Sequence, residues 1–351
     1  MFKDEIKIEN ITIGKNHKPF IVAEMSGNHN QSLDRAFAIV DAAAECGAHA
    51  VKLQTYTADT ITMKGAHTIM EEGSLWHGKE LHELYKEAYT PWEWHGPIIK
   101  RANEKGLICF SSPFDETAVD LLESLNTPLY KIASFENTHH PLLKKVAQTG
   151  KPVIMSTGVS TPADIYESIQ VLRNNGCKEL ILLKCTSTYP ATPENTNLKT
   201  IPHMKDLYSC PIGLSDHTMG IGVSIAAVSL GAVMIEKHFT LSRAEGGVDS
   251  AFSMEPHEMK SLVIETERAW QALGEIKYGI QKVEKENVMY KRSIYVSKDI
   301  NEGDVFSEEN LRVIRPGYGL LPKFFADVLG KKSSNAIKAG TPLKWEHLFK
   351  P

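Results

Sequence analysis

The chain is 351 residues long, 42% hydrophobic and 23% charged, with a formal net charge of −4. That length suits one large domain plus a small one, and the mild acidity without a long basic stripe argues against a nucleic-acid-binding protein. The longest apolar stretch, Val223 to Ile235, is interrupted by Ser224, Ser229 and Gly231 and is shorter than the ~20 residues that a membrane span needs. The segment from Met1 to Asn10 carries no apolar run of the signal-peptide kind. The cysteines Cys46, Cys109, Cys177, Cys185 and Cys210 form no CxxC pair. They read as reduced thiols, and the expected location is the cytoplasm.

From residue 19 to about 272, short β-branched runs alternate with helical patterns. In chain order the expected strands are Phe20–Glu24, Ala50–Gln54, Leu107–Ser111, Leu129–Ile132, Val153–Ser156, Leu180–Cys185, Pro211–Leu214 and Val233–Lys237. The expected helices are Leu33–Cys46, Pro91–Lys105, Thr117–Leu125, Pro141–Gln148, Pro162–Asn174, Gly222–Leu230 and Pro256–Leu273. Eight strands alternating with helices predict an α/β fold, a (β/α)8 TIM barrel. An open doubly wound sheet is the alternative, but no G-x-G-x-x-G follows the first strand. The long segment Thr57–Glu87, with Gly65, Gly73, Trp76 and Gly78, is expected over the catalytic face.

After residue 284 the pattern changes to short strands broken by glycine turns, as in Ser293–Phe306 and Asn310–Gly317. This predicts a barrel domain over 1–284 and a small domain over 285–351. The segment from Lys285 onward has 12 Lys/Arg and 8 Asp/Glu, hence +4, against −8 for the rest. A basic lid over an anionic ligand and a plain solvated surface both fit that charge.

Strand residues two apart share a face. Lys52 and Gln54, Glu236 and His238, and Phe20, Val22 and Glu24 each share one. In a barrel, polar inward groups at the strand ends meet the active site. A buried lysine is costly unless paired, so Lys52 and Lys131 point to a bound anion, or else to internal salt bridges with Glu24 or Glu236. Ser112, Ser134 and Ser156 stand at three consecutive strand ends, where hydroxyls can cradle a phosphate or simply cap helices. His217 and His238 end adjacent strands. Two imidazoles with substrate or water oxygens suit Mn²⁺ or a similar divalent ion, with Mg²⁺ or Co²⁺ also compatible; no cysteine joins them in a closed zinc site.

Taken together, Ile21–Asn30, Val51–Thr55, Phe110–Asp115, Tyr130–Glu136, Met155–Gly158, Cys185–Pro190, Gly213–His217 and Ile235–Phe239 resemble the sialic acid synthase family. Val313–Gly319 resembles the antifreeze-like (SAF, β-clip) domain that ends these synthases. The resemblance implies condensation of phosphoenolpyruvate with the aldehyde of an N-acetylated amino sugar, giving a nine-carbon ulosonic acid and phosphate. It implies phosphoenolpyruvate binding by Lys52, Ser112, Lys131, Ser134 and Ser156, and metal ligation by His217 and His238. Glu24, Gln54, Tyr189 and Asp249 would contact the sugar or its reacting end, with Glu24 placed for proton transfer or else as a partner of Lys52. Arg315 would reach the sugar from the other subunit of a homodimer with swapped C-terminal domains. The stretches Leu75–Tyr85 and Thr90–His95, and Lys131–Glu136, are most similar to the members that make pseudaminic acid, whose substrate is 2,4-diacetamido-2,4,6-trideoxy-altrose. Trp76, Tyr85 and Phe135 would then form an apolar wall, or else pack the loop. Members making N-acetylneuraminate or legionaminate are the nearest alternative, and a non-catalytic carbohydrate- or ice-binding protein is a more remote one.

Overall fold

The computed structural model describes residues 2–72 and 74–349, so Gly73 of the long segment lies outside the described residues. The chain divides into two compact units, Met1–Gly274 and Glu275–Pro351. Residues 275–284, assigned by sequence to the barrel domain as its linker, group with the second unit.

The first unit opens with an antiparallel hairpin, β1 (Glu5–Ile8) and β2 (Ile11–Gly14). Eight parallel strands follow: β3 (Phe20–Glu24), β4 (Ala50–Thr55), β5 (Ile108–Pro113), β6 (Tyr130–Ile132), β7 (Val153–Ser156), β8 (Leu180–Cys185), β9 (Ile212–Ser215) and β10 (Met234–His238). They close into a barrel in sequence order, with β10 returning to pair with β3. This is the expected (β/α)8 fold, and each expected strand falls on an observed one.

Alternation along the strands separates two cores. The inward residues Phe20, Val22, Ala50, Phe110, Leu183 and Met234 belong to one buried cluster inside the barrel. The outward residues Val51, Leu53, Met155, Leu182 and Ile235 belong to the larger cluster under the helices. Gly213 is inward on β9, where a Cβ would stand 2.6 Å from Leu183 Cδ2 and 2.7 Å from the Met234 carbonyl. Only glycine lets the filled barrel close there.

The hairpin was not anticipated, since the sequence reading began its strands at residue 19. Its Ile6, Ile8 and Ile13 are fully or almost fully buried and join the inner cluster. They seal the N-terminal end of the barrel, which leaves the strand C-termini as the open end.

The helices are α1 (Leu33–Glu45), α2 (Ala58–Ile61), α3 (Leu81–Ala88), α4 (Trp92–Glu104), α5 (Glu116–Ser124), α6 (His140–Gln148), α7 (Pro162–Asn174), α8 (Thr200–Tyr208), α9 (Gly222–Ser229) and α10 (Pro256–Leu273). Local chemistry starts several of them. Ser32 accepts from the Arg35 amide at α1, and Thr161 with Asp164 forms a capping box at α7. Helix α8 was not expected. It lacks a side-chain cap and has Pro202 in its first turn, so its start signal is weak.

The second unit pairs β11 (Ser293–Val296) with β12 (Leu311–Ile314). Isolated bridges such as Ile300–Ile337 and Ser333–Leu348 extend it, and Ile294, Val296, Phe306, Leu311, Val328 and Leu343 form its own core. Among the described residues, no helix is long and apolar enough to cross a membrane.

Candidate active site

The inward positions that are apolar low in the barrel turn charged at the strand C-termini. Glu24, Lys52, Lys131 and Glu236 are all buried there. Lys52 Nζ lies 2.9 Å from Glu24 Oε2 and 3.6 Å from Glu236 Oε1, and Lys131 Nζ lies 3.5 Å from the same Glu236 oxygen. The internal salt bridges foreseen as an alternative are therefore present, and Glu236 is their shared member. Burial opposes ionisation of Glu236, but Lys131 and Lys52 hold its carboxyl below the ordinary range. Glu24 is the opposite case: burial first, and the Glu236 charge as well, push its carboxyl up despite Lys52. Burial likewise pulls the Lys131 ammonium down.

Hydrogen bonds tie this centre to its rim. Gln54 Nε2 donates to Glu24 Oε1 at 2.8 Å and to Ser26 Oγ at 3.0 Å. Ser26 donates to the buried Asp249 carboxylate, whose pKa burial raises. Lys52 Nζ donates to Ser112 Oγ at 3.3 Å. Glu236 Oε2 and Ser156 Oγ are buried with no hydrogen-bond partner among the described residues. Unpaired buried polar atoms are costly, so this cluster is poised for a polar ligand.

Beside it lies a hydroxyl pocket. Gly158 N donates to Ser134 Oγ at 3.2 Å. A Cβ on Gly158 would collide with Ser187 and would stand 2.7 Å from Ser134 Oγ. Glycine thus lets Ser134 and Ser187 converge next to Ser156. Ser215 closes the circle by donating to Glu236 Oε1 at 3.4 Å.

The expected histidine pair is adjacent, with His217 and His238 ring centroids 5.4 Å apart. His217 Nδ1 meets the Thr186 carbonyl at 3.0 Å, which leaves Nε2 as the nitrogen that could ligate a cation. His238 Nδ1 is buried with no hydrogen bond and lies 3.5 Å from Asp249 Oδ2. Two imidazoles with a neighbouring carboxylate and an orphaned nitrogen fit a divalent cation. Among the described residues, the group of three metal-capable side chains within 4.8 Å is elsewhere, at Glu255, His257 and Glu258. There Glu258 already meets Arg243 at 2.5 Å.

Aromatic rings roof the histidines. The Tyr189 ring lies tilted 4.4 Å from His217, Phe252 lies 4.9 Å from His238, and Trp76 is 6.1 Å from Tyr189. Trp76 Nε1 donates to the Val248 carbonyl at 3.0 Å, joining the long β4–α4 segment to the loop after β10. Of the three residues considered for an apolar wall, Trp76 joins this roof. Tyr85 packs 5.5 Å from Tyr56, and Phe135 is 62% exposed. Arg315 is exposed in the second unit.

Sequence reasoning missed Ser26, Glu136, Ser187, Ser215 and Phe252. Burial raises the Glu136 carboxyl to about 7, with Lys131 opposing, and its Oε2 has no hydrogen-bond partner among the described residues. Its place in the Tyr130–Glu136 stretch at the C-terminal end of β6 was the available signal.

A closed barrel whose strand C-termini gather paired lysines, carboxyls, hydroxyls and two imidazoles is the architecture of a (β/α)8 enzyme with a polar-ligand site at its open end. The family profile of the NeuB family matches residues 39–278, and that of the SAF domain matches residues 291–348. The chain belongs to the NeuB family. It is 42% identical to the pseudaminic acid synthase of Campylobacter jejuni serotype O:2 over 93% of this chain and 96% of that one. It is 36% identical to the N,N'-diacetyllegionaminic acid synthase of the same organism over 92% and 97%. Among solved structures, the N-acetylneuraminic acid synthetase of Leptospira borgpetersenii, in complex with citrate, superposes with TM-score 0.74 at 34% identity, covering 82% of this chain and 96% of that one.

Proposed function

We propose that this protein is a pseudaminic acid synthase, condensing phosphoenolpyruvate with 2,4-diacetamido-2,4,6-trideoxy-L-altrose to give pseudaminic acid and phosphate. The observation that carries the reading is the convergence of Lys52 and Lys131 on Glu236 beside the Ser134, Ser156 and Ser187 hydroxyls. Two buried ammonium groups and a hydroxyl pocket match a small molecule bearing both a carboxylate and a phosphate. The 42% and 43% identical pseudaminic acid synthases of Campylobacter jejuni and Helicobacter pylori support the choice of sugar.

In this reading the lysines and serines hold phosphoenolpyruvate with its C3 toward the sugar. The C3–C1 bond forms as the enol attacks the aldehyde carbon, and the aldehyde oxygen takes a proton. Glu24, a raised carboxyl hydrogen-bonded to Gln54, is suited to deliver it. Water then adds at C2, its proton passing to a carboxylate, for which Glu136 is suited because its affinity for protons is balanced near neutrality. Phosphate leaves with cleavage of the C2–O bond and takes up the proton of the new C2 hydroxyl, and the 2-keto acid remains. Tyr189 and Asp249 border the sugar side. His217 and His238 would hold a divalent cation, Mn²⁺ by preference, which supplies polarisation of the aldehyde oxygen.

The active assembly in this account is a cytoplasmic homodimer. Ile276, Tyr278 and Val283 are 94%, 94% and 82% exposed in the segment that opens the second unit. Closely spaced apolar side chains left in water favour a covering partner, here a second copy whose Arg315 completes the sugar site. Phosphoenolpyruvate labelled with ¹⁸O in the C2–O–P bridge tests the reaction class. Label in the released phosphate, and only when sugar is present, is expected; unlabelled phosphate would exclude C–O cleavage.

A further inference from the structure

Along β8, Ile181 and Leu183 face the barrel interior, so Lys184 faces outward, toward α7 and α8. Lys184 is 8% exposed. Its hydrogen-bond partner among the described residues is Thr186 Oγ1 at 2.6 Å, and that hydroxyl gives its own proton to the Asn195 carbonyl at 3.1 Å. No carboxylate of the described residues forms a salt bridge with this ammonium. A buried cation without a paired carboxylate is costly; burial pulls its pKa down, with the charges of Cys185 and Asp216 opposing from farther off.

A cavity of about 530 Å³ opens onto Lys184. Its polar lining includes Thr157, Ser160, Asn197, Thr200 and His203, and no aspartate or glutamate borders it. The first residues of α7 and α8, Thr161–Pro162 and Thr200, reach the same space. Both helix N-termini therefore add positive potential to the lysine charge.

We propose that this cavity is a second anion site, taking a phosphate-class oxyanion with Lys184 as its counter-charge. It stands on the outer side of the barrel wall from the Lys52–Lys131 centre. Thr157 and Cys185 form its inner edge. They adjoin the serine pocket, since Thr157 precedes Gly158 and Cys185 Sγ lies 3.6 Å from Ser187 Oγ. The nearest source of such an anion is the phosphate released in the condensation, an identification that rests on the proposed activity; a phosphate monoester offers the same chemistry.

Calorimetric titration of the full-length protein with inorganic phosphate tests the site without turnover. The wild type should show one phosphate-binding event more than Lys184→Met, while Lys184→Arg keeps it and Lys184→Met retains wild-type kcat. Thr200→Val, which leaves the lysine in place, should weaken the same event and covers the case of a misfolded Lys184→Met. Glycerol 3-phosphate in competition separates the sources: displacement identifies a monoester site, and no displacement identifies free phosphate. Equal phosphate binding by wild type and a folded Lys184→Met would overturn the proposal. Because binding is read directly, a protein inactive on phosphoenolpyruvate would refute the activity without touching the site.

Discussion

Lys237 Nζ lies 3.0 Å from Asp216 Oδ2 in an ion pair that is almost wholly buried. Each partner immediately precedes an active-site histidine, His238 and His217. Lys237 also donates to the Thr218 and Gly220 carbonyls at 2.6 and 3.0 Å. Asp216 accepts from Ser224 Oγ at 2.6 Å and from Thr218 N at 2.9 Å. Alternation turns these charges to the outside of the barrel and the histidines to the inside. The pair thereby locks the ends of β9 and β10 from behind.

Removing one member should expose the cost. Lys237→Met leaves a buried, uncompensated carboxylate and should destabilise the fold by about 3–5 kcal/mol, read by urea unfolding. Asp216→Leu combined with Lys237→Met should recover part of that loss. A single variant as stable as wild type would show that the pair contributes nothing.

The two histidines make a separate claim. Chelator-treated protein should lose activity and regain it on adding Mn²⁺, and His217→Ala and His238→Ala should each weaken Mn²⁺ binding by at least tenfold, about 1.4 kcal/mol. A stripped sample that keeps full activity would remove the cation from the account.

Arg315→Ala should raise the KM for the sugar much more than that for phosphoenolpyruvate. Lys52→Ala should abolish turnover in its own barrel. Mixed dimers of the two variants should regain activity, because one of their two sites receives both intact residues. Verified heterodimers without activity would argue against a swapped arrangement.

Stability should depend on pH through three histidines, two buried and one, His49, partly buried. Burial, before any neighbouring charge, lowers His29, His49 and His95 to about 4. His95 is held neutral between Thr55 Oγ1 at 2.8 Å and the Pro91 carbonyl at 3.2 Å. In the unfolded chain these rings protonate near pH 6.5, so between 6.5 and 4 the unfolded state binds more protons. Their contribution is complete above pH 6.5 and is lost as pH falls toward 4. Thermal midpoints should drop across that window, with a shallower slope for His95→Gln; an unchanged slope would contradict the assignment.

The barrel was legible because each strand carries its own signal. Phe20–Glu24 and Leu180–Cys185 are β-rich runs whose ends turn polar, and the observed strands match them. Lys52, Glu236 and His238 were legible by the same alternation. The hairpin around Ile6, Ile8 and Ile13 was not, because Glu5–Ile8 and Ile11–Gly14 stand ahead of the strand–helix alternation that marks the barrel. Ser187 and Phe252 lie in loops with no periodicity, and only the folded chain brings them to Gly158 and His238. Lys184 and Lys237 look like ordinary lysines until strand direction shows that both are buried behind the barrel wall.

The choice of sugar is tested most directly by measuring phosphate release from phosphoenolpyruvate with Mn²⁺ and each candidate hexose in turn. Release is expected with 2,4-diacetamido-2,4,6-trideoxy-L-altrose, with a kcat/KM far above that for N-acetylmannosamine or the legionaminate precursor. Release with N-acetylmannosamine alone would contradict the account.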